Sequence, residues 1–438
     1  MRAGFVVLLM VAGSLGAGCG RVEFDPMQME ATGDCPTVDE LQSDYDACFP
    51  LPARTGPTRC VGPADAARLP EILAAAQPGE VLVFEDGTYD VTAPLVIRTE
   101  NLTLRARNGG ADAVKFDGGF AVDRIFSVEA SGVTIADLLF QRTNEEPNEA
   151  AIVVASGMAP VRNTTIRGVT VIDARGWGVH LGRPSAQPVD GGVVACSRFV
   201  MTDDARTECE VHGGVIGLGA ADWTVRDSSF DGLYCNNPAT TRAILFNRGS
   251  RRITVERNRI KNSFIGIHFG VSETAPPFFR SWPDLPANCS EPDIYRGFYE
   301  GIVRNNTVFY EPPGVFDSGI ALWAACDVWV VHNTVITTSS ETFNSIEWRY
   351  PSTTDARIAN NIINFGLRAR NGAVALLEES NHTVDDSVRT FANRTGEDFH
   401  LVPGVTLPPA AVLPPGICDD DFDRQPRTDP RDVGADER

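Results

Sequence analysis

The side chains able to do chemistry gather late in the sequence. Three short segments share one pattern: Ile267-His268-Phe269-Gly270, Ile320-Ala321-Leu322-Trp323 and Ile346-Glu347-Trp348-Arg349. Successive residues of an extended strand leave opposite faces, so the first and third of each segment should turn inward and the second and fourth outward. The outward set then collects an imidazole, an indole, a carboxylate and a guanidinium, with Asn247 from Ile244-Leu245-Phe246-Asn247 beside them. This is an inventory for holding a sugar and moving a proton. His268, Glu347 and Arg349 are the catalytic candidates; Trp323, Asn247 and the earlier outward His180 are the substrate-binding ones. Glu347 and Arg349, two residues apart, have roots roughly 6.5–7 Å from each other. β-Elimination suits these groups better than hydrolysis. It needs a cation beside a uronate carboxylate and a base, for which Arg349 and His268 would serve. Hydrolysis needs two carboxylates, and the next on this face is the distant Glu129. The bland alternative is an outward polar surface whose Glu–Arg pair has little energetic consequence.

The elements that must position these residues come from a repeat. A six-residue pattern (apolar, any, small or polar, often Asn, any, apolar) reads IADLLF from 135, IRGVTV from 166, VACSRF from 194 and VRDSSF from 225. It continues as VERNRI from 255, VRNNTV from 303, VVHNTV from 330 and IANNII from 358, with a degenerate copy at Leu104. Most copies carry a second short strand. Such β-rich units cannot bury an apolar face alone and leave no room for crossover helices, so they must stack as a solenoid. The expected fold is an all-β, right-handed parallel β-helix of about nine to ten rungs, a rod of roughly 45 Å at ~4.8 Å per rung. Asn258, Asn306, Asn333 and Asn361 should stack in one turn as a ladder, with His332 a turn residue beside them. One repeat is long, and residues 271–299, rich in proline and aromatics, form an inserted loop.

An open rung exposes unpaired backbone groups, so the ends need covers. Ala64–Ala76 has the composition of an amphipathic capping helix, stopped by Gln77-Pro78-Gly79, and an irregular C-terminal cap is expected over 406–438. The organisation is then a signal peptide (1–18), a cysteine-containing acidic linker (19–60), the β-helix (61–405) and the cap. Asp419, Asp420, Asp421 and Asp423 are carboxylates that Ca2+ could take, as are Asp203 and Asp204 with Glu208; internal neutralisation by Arg424, Arg427 and Arg431 is the preferred reading of the first set.

Composition narrows the class. The net charge of −20, from 38 basic and 58 acidic residues, argues against nucleic-acid binding. Gly-rich phosphate loops, GxSxG elbows and HExxH motifs do not occur. Phe5–Leu15 is an apolar run too short to span a bilayer after a basic start. Nine cysteines beyond Cys19 suit an oxidising compartment. Spacing favours the pairs Cys196–Cys209 and Cys235–Cys289, and leaves Cys35, Cys48, Cys60, Cys326 and Cys418 unassigned. A Cys235–Cys289 bond would fold the insertion across the sheet and bring its aromatic residues over His268.

Three resemblances add to this. Leu15-Gly16-Ala17-Gly18-Cys19 resembles a bacterial lipoprotein signal, which implies lipid on Cys19 and, with Gly20 next, an outer-membrane anchor. Pro78-Gly79-Glu80-Val81-Leu82-Val83 with Gly87-Thr88-Tyr89 resembles the opening coil of pectin-lyase-like right-handed β-helix proteins. Asp421-Phe422-Asp423…Arg427…Asp432-Val433-Gly434-Ala435-Asp436-Glu437 is similar to the ending of many secreted β-helix proteins. Within that superfamily the chain most resembles surface β-helix lipoproteins of Gram-negative bacteria, where histidine often stands in place of Leu218 and Leu245; the resemblance implies a less polar groove here. Two functions follow as expectations. One is a lipid-anchored protein that binds and cleaves an extracellular polysaccharide, by β-elimination rather than hydrolysis. The other is a non-catalytic rod that binds glycan or spaces a partner from the membrane.

Overall fold

A computed structural model describes residues 35, 51 and 56–436, apart from 145, 147–148, 185, 207–211, 236–240, 292, 312–315, 339–343, 385–389, 394–396, 406 and 429–431. Cys19 and the signal segment, like most of the acidic linker, lie outside the described residues. Three parallel sheets of 12, 11 and 10 strands (A, B and C here) run the length of the rod, each strand pairing with its counterpart one repeat away. Every rung visits A, then B, then C. The chain is a right-handed parallel β-helix, as the repeat required. Among the described residues no helix is long and apolar enough to cross a membrane.

The turn from A to B explains the repeated asparagine. Asn306 accepts from the Asn258 backbone N–H at 3.0 Å and donates to Val255 O at 2.9 Å and to Asn333 Oδ1 at 3.0 Å. Asn333 and Asn361 repeat the arrangement, and Asn381 extends it. Ser197 and Ser228 occupy the same place in earlier rungs. The residue before each ladder position is left-handed, Asp227, Arg257, Asn305, His332 and Asn360 among them. The ladder thus satisfies backbone N–H groups that the turn would otherwise bury unpaired.

The N-terminal cover is a 3-10 segment, Pro63–Arg68, running into the α-helix Leu69–Ala74, rather than one α-helix. Pro70 lacks an N–H and disfavours helical geometry before it, which separates the two pieces. Leu69, Ile72 and Leu73 close the first rung. At the other end the chain leaves the sheets after His382–Thr383, forms an antiparallel pair (Phe391–Asn393 with Asp398–Leu401), and runs back along the side of the rod. Arg427 pins this strap by donating to Asn305 Oδ1, Gly434 O and Ala435 O at 2.8–3.0 Å. Asp420 pairs with Arg257 and Arg424 with Asp227. The four aspartates 419–423 are therefore dispersed rather than gathered around one cation. Asp203 pairs with Arg206, and Glu208 lies outside the described residues.

Two expectations about the insertion are corrected. Cys289 bonds Cys326, not Cys235, and Cys35 bonds Cys60. Cys196 and Cys235 are disulfide-bonded; Cys209 lies outside the described residues. The insertion accordingly does not fold over His268. It crosses the corner between sheets C and A, where Arg280 pairs with Asp190, Trp282 donates to Gly249 O at 2.8 Å, and Arg251 pairs with Asp284. Fully buried Arg296 donates to Ser352 O and Cys289 O at its root. Cys326 opens a sheet A strand, so the disulfide draws the loop toward A.

Candidate functional site

Sheet C carries the candidate residues, and its inner face explains their direction. Each strand places two consecutive residues inward, of which the first is small: Ala151, Gly178, Gly214, Ala243, Gly266, Gly319 and Ser345. Sheet B's large inner side chains approach here. A Cβ on Gly178 would lie 2.5 Å from the Phe199 ring, and one on Gly214 would lie 2.4 Å from Phe230. Simple alternation therefore breaks at the start of each strand, and the preceding residue also leaves the core. That adds Arg242 and Asn344 to the outward set.

Along the outward face one row reads Val153, His180, Ile216, Leu245, His268, Ala321, Glu347 and Arg368, all in register. A neighbouring row holds Trp323, Arg349 and Arg370. The earlier half is an apolar cluster of Ala150, Val153, Ala155, Trp177, Ile216 and Leu245. His180 sits in that half, three strands from His268, and does not join the polar end. Asn247 lies at the corner, where a Cβ on Gly297 would come within 2.3 Å of its Oδ1. Two of the three substrate-binding candidates, His180 and Asn247, are thus apart from the others.

Four candidates do come together. Glu347 accepts from Trp323 Nε1 at 2.7 Å and from Asn344 Nδ2 at 2.9 Å, and pairs with Arg349 at 2.5 Å and Arg370 at 3.1 Å. The Arg349 guanidinium stacks 4.0 Å over the Trp323 ring, and His268 meets that ring edge-on at 4.3 Å between centroids. Arg242 Nε donates to His268 Nδ1 at 3.4 Å. The face points away from the core, yet His268 and Glu347 are both 0% exposed. Burial, with Arg242 and Arg349 nearby, holds His268 well below the usual imidazole range, so it is neutral. Burial brings Arg242 down to about 10, which leaves it charged at neutral pH. Burial and the Glu347 charge push Asp317 up, against Arg349, Arg370 and Arg242.

The rim of this cluster is more accessible. Trp323 is half-buried, Arg349 and Arg370 keep 15% and 23% of their side-chain surface, and Arg368 is exposed. Among the described residues four guanidinium groups (Arg242, Arg349, Arg368, Arg370) surround two carboxyls (Glu347, Asp317). Sequence reading missed Arg242, Asn344, Asp317, Arg368 and Arg370. The small residue directly after Arg242 and Asn344, Ala243 and Ser345, reveals the first two only once it is recognised as inward.

No protein-family profile matches the sequence, and a search of curated proteins finds no match. Solved structures similar to the chain include the pectate lyase Pel9A, 11% identical, covering 88% of this chain and 97% of that one with a TM-score of 0.48. The polygalacturonase from Erwinia carotovora ssp. carotovora is 11% identical over 77% and 99% with a TM-score of 0.40. A PL6 family polysaccharide lyase from Pseudopedobacter saltans is 12% identical over 80% and 96% with a TM-score of 0.38. At such identities their activities are not carried over. By its own three parallel sheets, and at the level of fold alone, the chain is a parallel β-helix.

Proposed function

We propose that the protein is a surface β-helix that binds an acidic polysaccharide at the late end of sheet C and does not cleave it. The observation that carries this reading is the gathering of four guanidinium groups, among the described residues, around a half-buried Trp323, in a chain whose net charge is −20. Arginines attract uronate carboxylates and can hold them bidentately. Turnover has less support. Glu347 is saturated by four partners and His268 is enclosed, so neither is free to take a proton from a chain lying outside. The short apolar run before Cys19 supports attachment by an N-terminal lipid to the outer membrane, with the rod presenting its face beyond it.

Isothermal titration of the purified protein against polygalacturonate, alginate and a neutral glucan tests this. Binding to the two acidic polymers, weakened by added salt and several-fold weaker in Arg368→Ala, is expected. Equal binding of the neutral glucan, or appearance of unsaturated products by ultraviolet absorbance, would contradict it.

A further inference from the structure

We propose that the C-terminal strap holds a divalent transition-metal ion between His400, Asp423 and Asp436, with Asp398 orienting the imidazole. The ligands come from separated parts of the chain: His400 from the strand Asp398–Leu401, the two aspartates from the returning tail. His400 Nε2 lies 2.8 Å from Asp423 Oδ2 and 4.0 Å from Asp436 Oδ1, and the three ligand atoms all lie within 4.8 Å of one another. Tetrahedral coordination with bonds of about 2.1 Å separates ligand atoms by about 3.4 Å. The observed spread brackets that value, so sub-ångström side-chain adjustments close the cage.

Two further features point to a cation rather than a chance meeting of surface charges. Asp398 engages His400 Nδ1, which leaves Nε2 facing the carboxylates; a carboxylate behind a metal-binding histidine fixes its tautomer and orientation in this way. The second is Asp421. It is 1% exposed and one of its oxygens, Oδ2, has no hydrogen-bond partner among the described residues. The next residue, Phe422, bonds through its N–H to Ala435 O, which sets Asp421 beside the segment of the tail that carries Asp436. The imidazole selects the ion class: Ca2+ takes six to eight oxygens, whereas one nitrogen and two carboxylates with an open position suit Zn2+, Co2+ or Mn2+.

The test uses the full chain, stripped with a chelator and dialysed, then titrated with CoCl2 at pH 8 while visible ligand-field absorption is recorded. One equivalent should produce the spectrum and ZnCl2 should bleach it. His400→Ala and Asp436→Asn should each abolish the signal; both variants keep the fold by circular dichroism, because His400 is half exposed and asparagine preserves shape. Asp398→Asn should weaken binding 10- to 100-fold and shift the bands without removing them. A featureless Co2+ titration, or a spectrum that survives in His400→Ala, would overturn the site.

Discussion

Acid should destabilise this protein through histidines it has buried uncharged. His180 is 0% exposed, and burial, with Arg183 beside it, lowers its pKa to about 3. Burial lowers His212 to about 4, opposed by its bond to Gly176 O at 2.7 Å. In the unfolded chain both return to about 6.5. A depressed folded value means that the contribution is present above pH 6.5 and is lost as pH falls toward the folded value, because only the unfolded state then binds the proton. At pH 5 the loss is about 2 kcal/mol per histidine, and it is the same whether the folded value is 3 or 4. His180→Leu removes one such group from between Val153 and Ile216, where an aliphatic side chain fits. Equilibrium urea unfolding of wild type and variant at pH 7.5 and pH 5 isolates the effect, since the carboxylates titrate alike in both. The variant should lose about 2 kcal/mol less between the two pH values. An identical loss in both proteins would refute the assignment of His180 as a buried neutral group.

Further perturbations address the frame around the site. Asn306→Ala removes donors to Val255 O and Arg304 O and the acceptor for Asn258; urea unfolding should show a loss of about 2–4 kcal/mol. Gly214→Ala drives a methyl to 2.4 Å from Phe230 and 2.7 Å from Ala243 O, so a loss of about 1–3 kcal/mol is expected by the same assay. Replacing Cys289 and Cys326 together by alanine should admit protease cleavage within 271–288 well before the sheets are cut, as read by mass spectrometry of timed digests.

The rod was readable in the sequence because its two strongest constraints repeat: an inward apolar pair every rung, and an asparagine that serves the preceding rung's backbone. His268, Trp323, Glu347 and Arg349 were readable together because they share the fixed sidedness of equivalent strands. Their burial was not, since alternation says which way a side chain leaves the sheet and nothing about what lies over it. The insertion's path was also hidden. Its anchors are backbone carbonyls at a corner, Gly249 O and Gly219 O, and an ion pair between residues 90 apart in sequence, Arg280 with Asp190. Without that path, Cys326 could not be recognised as the partner of Cys289. The C-terminal aspartates looked like one cluster because they adjoin in sequence, but the turn at Asp421–Arg424 sends them to Arg257, Gln425 and His400 separately.

The placement of the glycan can be read directly by hydrogen–deuterium exchange of the intact protein with and without saturating polygalacturonate. Slowed exchange should be confined to residues 344–350 and 367–370, and should vanish when salt is raised or when Arg368 is replaced by alanine. Protection centred instead on the shallow cavity lined by Asn101, Asn163 and Gly191, or none at a concentration that saturates the titration, would contradict an acidic-polysaccharide site at the late end of sheet C.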